Sequence, residues 1–264
     1  MRNTAIIVPC YNEESRLSQR EFLDYARQHH EVHFLFVNDC STDATGRIID
    51  ALCDQLPRQC LALHLPHNLG KAGAVRAGFL KAFAGTYDVI GFWDADLATP
   101  LSEIEHFGAL LAASPHCQMV LGARVRLLSR RIERRALRHY LGRIFATLAS
   151  FTLGLTIYDT QCGAKLFANT ENLRRVFAKP FTVTWIFDVE ILARYILLTK
   201  EEAPPLEEIA CEYPLRQWLD VPGSKVKAKD FLVAIHEMAK IWNSLRGPGS
   251  RRYAAELRAM SPLP

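Results

Sequence analysis

Hydrophobic and polar positions alternate in blocks along the first half of the chain. Short, nearly continuous apolar runs, "TAIIVP" (4–9), "VHFLFV" (32–37), "LALHL" (61–65), "DVIGFW" (88–93) and "QMVLGA" (118–123), read as buried strands. Amphipathic stretches between them, near 14–28, 43–55, 71–83 and 102–112, read as helices, and the last opens on Ser102-x-x-Glu105, the pattern of a capping box. Buried strands separated by such helices predict an α/β fold whose central, mostly parallel sheet is flanked by helices. Ligands of these sheets bind beyond the carboxyl ends of the strands. "CYNEES", "NDCSTD", "HNLGK" and "DADLATP" each follow a predicted strand, so they are expected on one rim.

The pattern changes at Arg124. Leu137, Tyr140, Leu141, Ile144, Phe145, Leu148 and Phe151 recur at three- and four-residue spacing, with Arg138 and Arg143 on the opposite face. This predicts a helix over 132–153, either packed on the sheet or lying in an anionic membrane interface. Further helices are expected near 170–177, in "WIFDVEILARYILL" and near 229–246, with a strand near 208–213 and a loose basic tail over 247–264.

Composition narrows the class. With 264 residues, 49% of them hydrophobic, the chain can bury a large core, which excludes disorder. A net charge of +4 is too small to suggest nucleic-acid binding. The cysteines number seven, are scattered and form no C-x-x-C pair, which argues against a disulfide framework or zinc site and for a reducing compartment. The longest uncharged run, 144–158, falls short of the ~20 residues that span a bilayer. The opening residues lack a signal-peptide pattern. The expectation is a cytoplasmic protein, peripheral at the inner membrane face.

Two carboxylates at i and i+2, Asp94 and Asp96, can reach one hard cation such as Mg²⁺ or Mn²⁺, which keeps places for phosphate oxygens. The alternative is a helix N-terminus approached by Asp96. Asp39, Asn68 and Lys71 belong to other loops of the same rim, and Lys71 opens a helix whose free N–H groups favour anions.

"IIVPCYNEE", "VNDCSTDAT", "HNLGKAGAVRAGF" and "DADLATP", in this order, resemble the family 2 inverting glycosyltransferases of the GT-A fold. "DTQCGAKLF", "WIFDVEIL" and "VPGSKVK" look like the branch that passes a sugar from a nucleotide donor to a polyprenyl phosphate, the dolichyl-phosphate glucose and mannose synthases. The resemblance implies a single domain over 1–246, with a nucleotide-sugar half (1–123) and an acceptor half (124–246). It implies that Pro9, Tyr11 and Glu13 hold the nucleoside, Asp39 its base, and Lys71 with Asp94, Ala95 and Asp96 the diphosphate and its Mg²⁺ or Mn²⁺. Arg124 and Arg138 match positions facing the acceptor phosphate, whereas Gln161, Asp188 and Glu190 match motif residues without a settled role. The partners implied are a UDP- or GDP-hexose, a polyprenyl phosphate and the membrane carrying it.

Departures from the family pattern are Asn38 for an acid, Cys40 and Ala72 for glycine, and Ala164 for an aromatic. Ala98 stands where some mannose synthases carry a glutamine, so a third protein ligand from that loop is absent. A phosphate monoester, with a second pKa of about 6, is already an anion and needs positioning and charge screening, which arginine supplies. A hydroxyl acceptor would instead need a base, for which Asp188 is the candidate. Asn38, Ala72 and Ala98 also leave room for a non-catalytic nucleotide-sugar-binding protein.

Overall fold

Apolar side chains at consecutive strand positions can all be buried only if both faces of the sheet are covered, and the computed structural model has that architecture. It describes residues 2–133, 136–199, 204–221 and 228–260, without the side chains of 133, 136–141 and 228–232. Along the first half run β1 (Thr4–Cys10), α1 (Gln19–Gln28), β2 (Val32–Asn38), α2 (Thr45–Gln55), β3 (Cys60–His64), α3 (Gly70–Phe83), β4 (Val89–Trp93), α4 (Glu103–Ala113) and β5 (Met119–Ala123). The second half adds β6 (Arg131–Glu133), α5 (Ala136–Leu153), β7 (Ala164–Ala168), α6 (Glu171–Ala178), α7 (Phe187–Thr199), α8 (Leu206–Ile209), β8 (Ala210–Pro214), β9 (Gln217–Leu219), α9 (Ala228–Arg246) and α10 (Ser250–Ala259).

Seven strands form one sheet in the order β3-β2-β1-β4-β7-β5-β8. Only β7 runs antiparallel to its neighbours β4 and β5. A separate ribbon pairs β6 with β9. Ile7, Val37, Phe79, Phe92 and Phe187 share the core on one side of the sheet, and Ile6, Phe22, Phe36, Trp93 and Phe107 the core on the other. The parallel order brings the ends of β1, β2, β3 and β4 to one rim, as the α/β pattern predicts.

Several elements differ from expectation. Helix α1 starts at Gln19, where Ser18 Oγ accepts from Glu21 N, because Glu13–Leu17 is a turn tied to the next loop. The capping box at Ser102 does not form: Pro100–Ser102 already turn helically, so the Ser102 hydroxyl makes no cap bond, and Glu103 turns inward to accept from Arg216 N at 2.8 Å. Residues 131–133 are strand, so the predicted helix begins at Ala136. The stretch expected to be a loose tail holds α10, whose stripe of Tyr253, Ala254 and Leu257 packs on the body while Glu256 pairs with Lys179. Among the described residues no helix is long and apolar enough to cross a membrane.

Candidate active site

The rim loops hold one another through side-chain-to-backbone bonds. Asn12, in the left-handed region at φ 51°, accepts from Thr42 N at 2.8 Å, and its own N–H reaches Ser41 Oγ. Glu13 N donates to Thr45 Oγ1 at 2.7 Å, and the buried Glu13 carboxylate pairs with Arg16 at 2.6 Å. Asp39 is almost fully buried, and its Oδ1 accepts from Leu69 N at 2.7 Å. Burial raises the Asp39 pKa, against the pull of the Leu69 and Gly70 N–H groups and of His67. Pro9 is half-buried at the end of β1, and Tyr11 is exposed above the rim.

The acidic turn after β4 lies against the same loops. Asp94 N donates to Gly163 O at 2.9 Å, and Leu97 adopts φ 52°, which brings Asp96 Oδ1 to the Ala98 N–H at 3.2 Å. Lys71 Nζ meets Asp94 Oδ1 at 2.5 Å, while Arg16 stands 4.0 Å from Asp96 Oδ2. Desolvation lowers the Lys71 pKa, but Asp94, Asp188 and Asp96 more than offset this, and it lies above the ordinary lysine value. Burial, then repulsion by Asp94, raises the Asp96 pKa. Ala95 is buried beneath the turn. Two carboxylates with open oxygens, held next to an ammonium, match the oxygen-only chemistry of Mg²⁺ or Mn²⁺ with a diphosphate completing the shell. Ala98 offers no side-chain ligand; its N–H goes to Asp96 and its carbonyl accepts from Leu219 N.

From the second half, Arg124 makes a two-pronged pair with Asp159, Nε at 2.6 Å and Nη2 at 2.8 Å, and its guanidinium lies 5.5 Å from the Trp218 ring centre. Desolvation lowers the Arg124 pKa, Asp159 more than offsets that, and Asp94 adds to the rise. Asp159 is itself oriented: its N–H and that of Tyr158 donate to Glu212, and its Oδ1 accepts from Gln161 N. Arg143 stacks 4.0 Å above Tyr158. Asp188 is 5% exposed and pairs at 2.5 Å with Lys165, which is 1% exposed and also donates to Cys162 O. Glu190 is structural: its two oxygens take Arg194 and the N–H groups of Thr182 and Val183. The Arg138 side chain and residues 222–227 of "VPGSKVK" lie outside the described residues.

The structure therefore gathers Glu13, Asp39, Lys71, Asp94 and Asp96 on one rim and brings Asp188 within electrostatic reach of Lys71. Sequence reasoning missed Arg16, Gly163, Asp159, Lys165 and Glu212. Asp159, Gly163 and Lys165 lay inside the quoted "DTQCGAKLF", and Arg16 directly after "CYNEES", but nothing in their spacing told which group each would meet.

A mostly parallel α/β sheet with a D-x-D turn and a lysine-led helix at one rim defines the GT-A class of glycosyltransferase. The chain matches the family model "Glycosyl transferase family 2" over residues 5–170, and it belongs to that family. It is similar to the dolichyl-phosphate beta-glucosyltransferases of Homo sapiens and Saccharomyces cerevisiae, each 31% identical, over 85% and 84% of this chain and 70% and 68% of theirs. In fold it resembles glucosyl-3-phosphoglycerate synthase from Mycobacterium tuberculosis, solved with Mn²⁺, UDP-glucose and phosphoglyceric acid. That match has a TM-score of 0.61 and 18% identity, covering 92% of this chain and 79% of the other.

Proposed function

We propose that this glycosyltransferase moves a hexose, glucose in the first instance, from a nucleoside-diphosphate donor to a polyprenyl phosphate, with inversion at the anomeric carbon. The observation that carries this reading is that Asp94 acts on two cations, Lys71 by direct contact and Arg124 electrostatically. A donor diphosphate beside Lys71 and an acceptor phosphate beside Arg124 would then both lie within reach of one carboxylate. The names of the human and yeast relatives supply the glucosyl group and the lipid phosphate.

In this reading Glu13 and Asp39 keep the first three loops in the shape that receives the nucleoside, with Tyr11 and Pro9 along its side. Asp94 and Asp96 would hold Mg²⁺ or Mn²⁺, which supplies positive charge opposite the departing diphosphate. Lys71 leaves Asp94 for a diphosphate oxygen as the donor enters. An acceptor phosphate oxygen, already anionic, forms the new bond to the anomeric carbon as the bond to the diphosphate breaks, and no proton is transferred. Arg124, aligned by Asp159, screens the incoming phosphate.

Asp188 fits this chemistry better than that of a hydroxyl acceptor. A general base needs a free oxygen facing the substrate, and one oxygen of Asp188 is committed to the buried Lys165 ammonium. A lipid acceptor also places the reaction at a membrane surface, and the seven free thiols suit its cytoplasmic face.

The test is incubation with radiolabelled nucleotide-hexoses, polyprenyl phosphate and Mn²⁺. A metal-dependent lipid product with UDP-glucose is expected, and no lipid product from any common donor would sink the reading. Asp188→Asn is expected to keep transfer at temperatures where it stays folded. Near-complete loss with intact donor binding would point to a hydroxyl acceptor instead.

A further inference from the structure

Arg143 carries a guanidinium that the fold holds in place and that the scheme above does not use. It lies on α5 two turns before Ser150, so the two side chains share one face of the helix. Ser150 Oγ fastens Ile157, donating to its carbonyl at 3.0 Å and accepting from its N–H at 3.3 Å. The next two N–H groups, of Tyr158 and Asp159, donate to Glu212 on β8 at 2.9 Å. Residues 157–159 are therefore clamped between α5 and the edge of the sheet. From this clamp the Tyr158 ring carries Arg143, whose guanidinium lies 4.0 Å from the ring centre, and the Asp159 carboxylate carries Arg124.

The two arginines differ in what is left to them. Asp159 takes Nε and Nη2 of Arg124 and matches its charge, leaving Nη1 open among the described residues. Arg143 is exposed, and no carboxylate among the described residues touches it. Glu212 reaches it only electrostatically, because both Glu212 oxygens are bound to the N–H groups of the clamp. A ring beneath a guanidinium restricts its orientation, yet the donors lie in the guanidinium plane and stay available to a ligand. A phosphate monoester carries a charge of about −1.5 to −2 at neutral pH. One arginine already matched by an aspartate does not balance that charge; a second, unmatched one does.

We propose that Arg143, aligned on the Tyr158 ring, binds the acceptor phosphate together with Arg124 and makes the site select a doubly charged phosphate monoester over singly charged phosphates. The proposal rests on the reading of the acceptor as a polyprenyl phosphate and adds a residue and a basis for its selectivity. Tyr158 is a positioning residue here, since it acts through Arg143. A phosphodiester, as in a phospholipid headgroup, has one charge and one more esterified oxygen, so it leaves Arg143 unmatched. An enzyme that takes its acceptor out of a bilayer meets such headgroups in excess, and the second charge is what tells the acceptor from them.

The experiment follows transfer from UDP-glucose to a short-chain, water-soluble polyprenyl phosphate, with the methyl phosphodiester of the same chain as competitor. In the wild type the KM of the monoester is expected to lie at least about tenfold below the Ki of the diester. Arg143→Gln should raise that KM about tenfold and leave the Ki within about twofold, so that the preference is lost, with the smaller share of the effect on kcat and none on nucleotide affinity. Arg143→Lys keeps the charge without the planar donors and should fall between. Tyr158→Ala should raise the same KM, and Tyr158→Phe, which keeps the ring face, should recover it. Arg143 is exposed, so Arg143→Gln is expected to melt as the wild type does, and it decides the matter even where Tyr158→Ala fails to fold. A folded Arg143→Gln protein with the wild-type KM, or one that weakens monoester and diester equally, overturns the proposal. So does a wild type that binds the diester as well as the monoester. No transfer to any polyprenyl phosphate from any common donor refutes the acceptor reading itself, whereas transfer indifferent to Arg143 refutes this proposal alone.

Discussion

Replacing Gly163 by alanine tests the acidic turn without touching an acid. A Cβ at this position would lie 1.8 Å from Asp94 Oδ2 and 2.1 Å from Asp94 Cγ. Ordinary contact begins near 3.4 Å, so the carboxylate must retreat by about 1.5 Å. Ligand distances at a metal tolerate about 0.2 Å, and misplacing a reacting group by about 1 Å costs on the order of 10²-fold in rate. The expected result is a transfer rate lowered on the order of 10²-fold and loss of the Mn²⁺-dependent thermal shift with nucleotide. The fold should survive, because Gly163 does not use a positive φ and the Asp94 side chain, 36% exposed, has room to swing outward. The assay pairs the transfer rate with melting curves in the presence and absence of Mn²⁺ and nucleotide. A Gly163→Ala protein with wild-type rate and wild-type metal response would refute the assignment of Asp94.

Lys165→Met leaves Asp188 buried without its counterion, and urea unfolding should show a loss of about 3–5 kcal/mol, less when Asp188→Leu is added; a loss under about 1 kcal/mol would show that the pair carries little stability. Near neutral pH, iodoacetamide should spare Cys60, Cys117 and Cys162, whose thiols burial pushes up to about 11, 12 and 11. Cys40, in the loop beside Asp39 at φ 56°, should be labelled, and nucleotide should slow it; labelling indifferent to nucleotide counts against the placement of the nucleoside. Burial raises the Glu212 pKa, so its ionised form costs stability above the folded-state pKa, and the cost disappears as pH falls through that value towards the unfolded one. Glu212→Gln, whose single carbonyl can still accept from Tyr158 and Asp159, should therefore be the more stable protein at neutral pH, with the gap closing on acidification; a gap that widens contradicts the sign.

Strands β1, β2, β4 and β5 were legible because they are buried on both faces and carry almost no polar residue, and β3, a mostly exposed edge strand, because its short apolar run still marks it. Strand β7 was not, since "GAKLF" places a lysine at its centre and that ammonium is tolerable only through Asp188, twenty-three residues onward. Helical period and strand alternation see neighbours in sequence, and a buried charge is decided by a neighbour in space. Ser102 fails for a local reason instead: its pattern promised a cap that the turn at Pro100–Ser102 had already displaced. The rim residues Lys71, Asp94 and Asp96 could be found because each closes a strand or opens a helix on a predictable rim. Arg16 and Gly163 could not, because their meaning is a distance to Asp96 or Asp94 across loops from different parts of the chain.

The departures that suggested a non-catalytic protein have structural answers of their own. Asn38 Oδ1 accepts from Ser41 N at 3.0 Å, and its amide nitrogen meets His64 Nδ1 at 3.0 Å. His64 Nε2 in turn meets Asp50 Oδ1 at 2.9 Å. Neutral His64 with its proton on Nε2 satisfies the whole chain, donating to Asp50 and accepting from Asn38. An aspartate at 38 would face the lone pair of His64 and need that ring protonated, so the amide is the residue that keeps this loop closed without a bound proton. Ala72 is buried within α3, and Ala98 holds β9 through its carbonyl. The loops that meet Lys71 and Asp94 are thus supported by the unusual residues themselves, and a binding-only reading loses the observations that had favoured it.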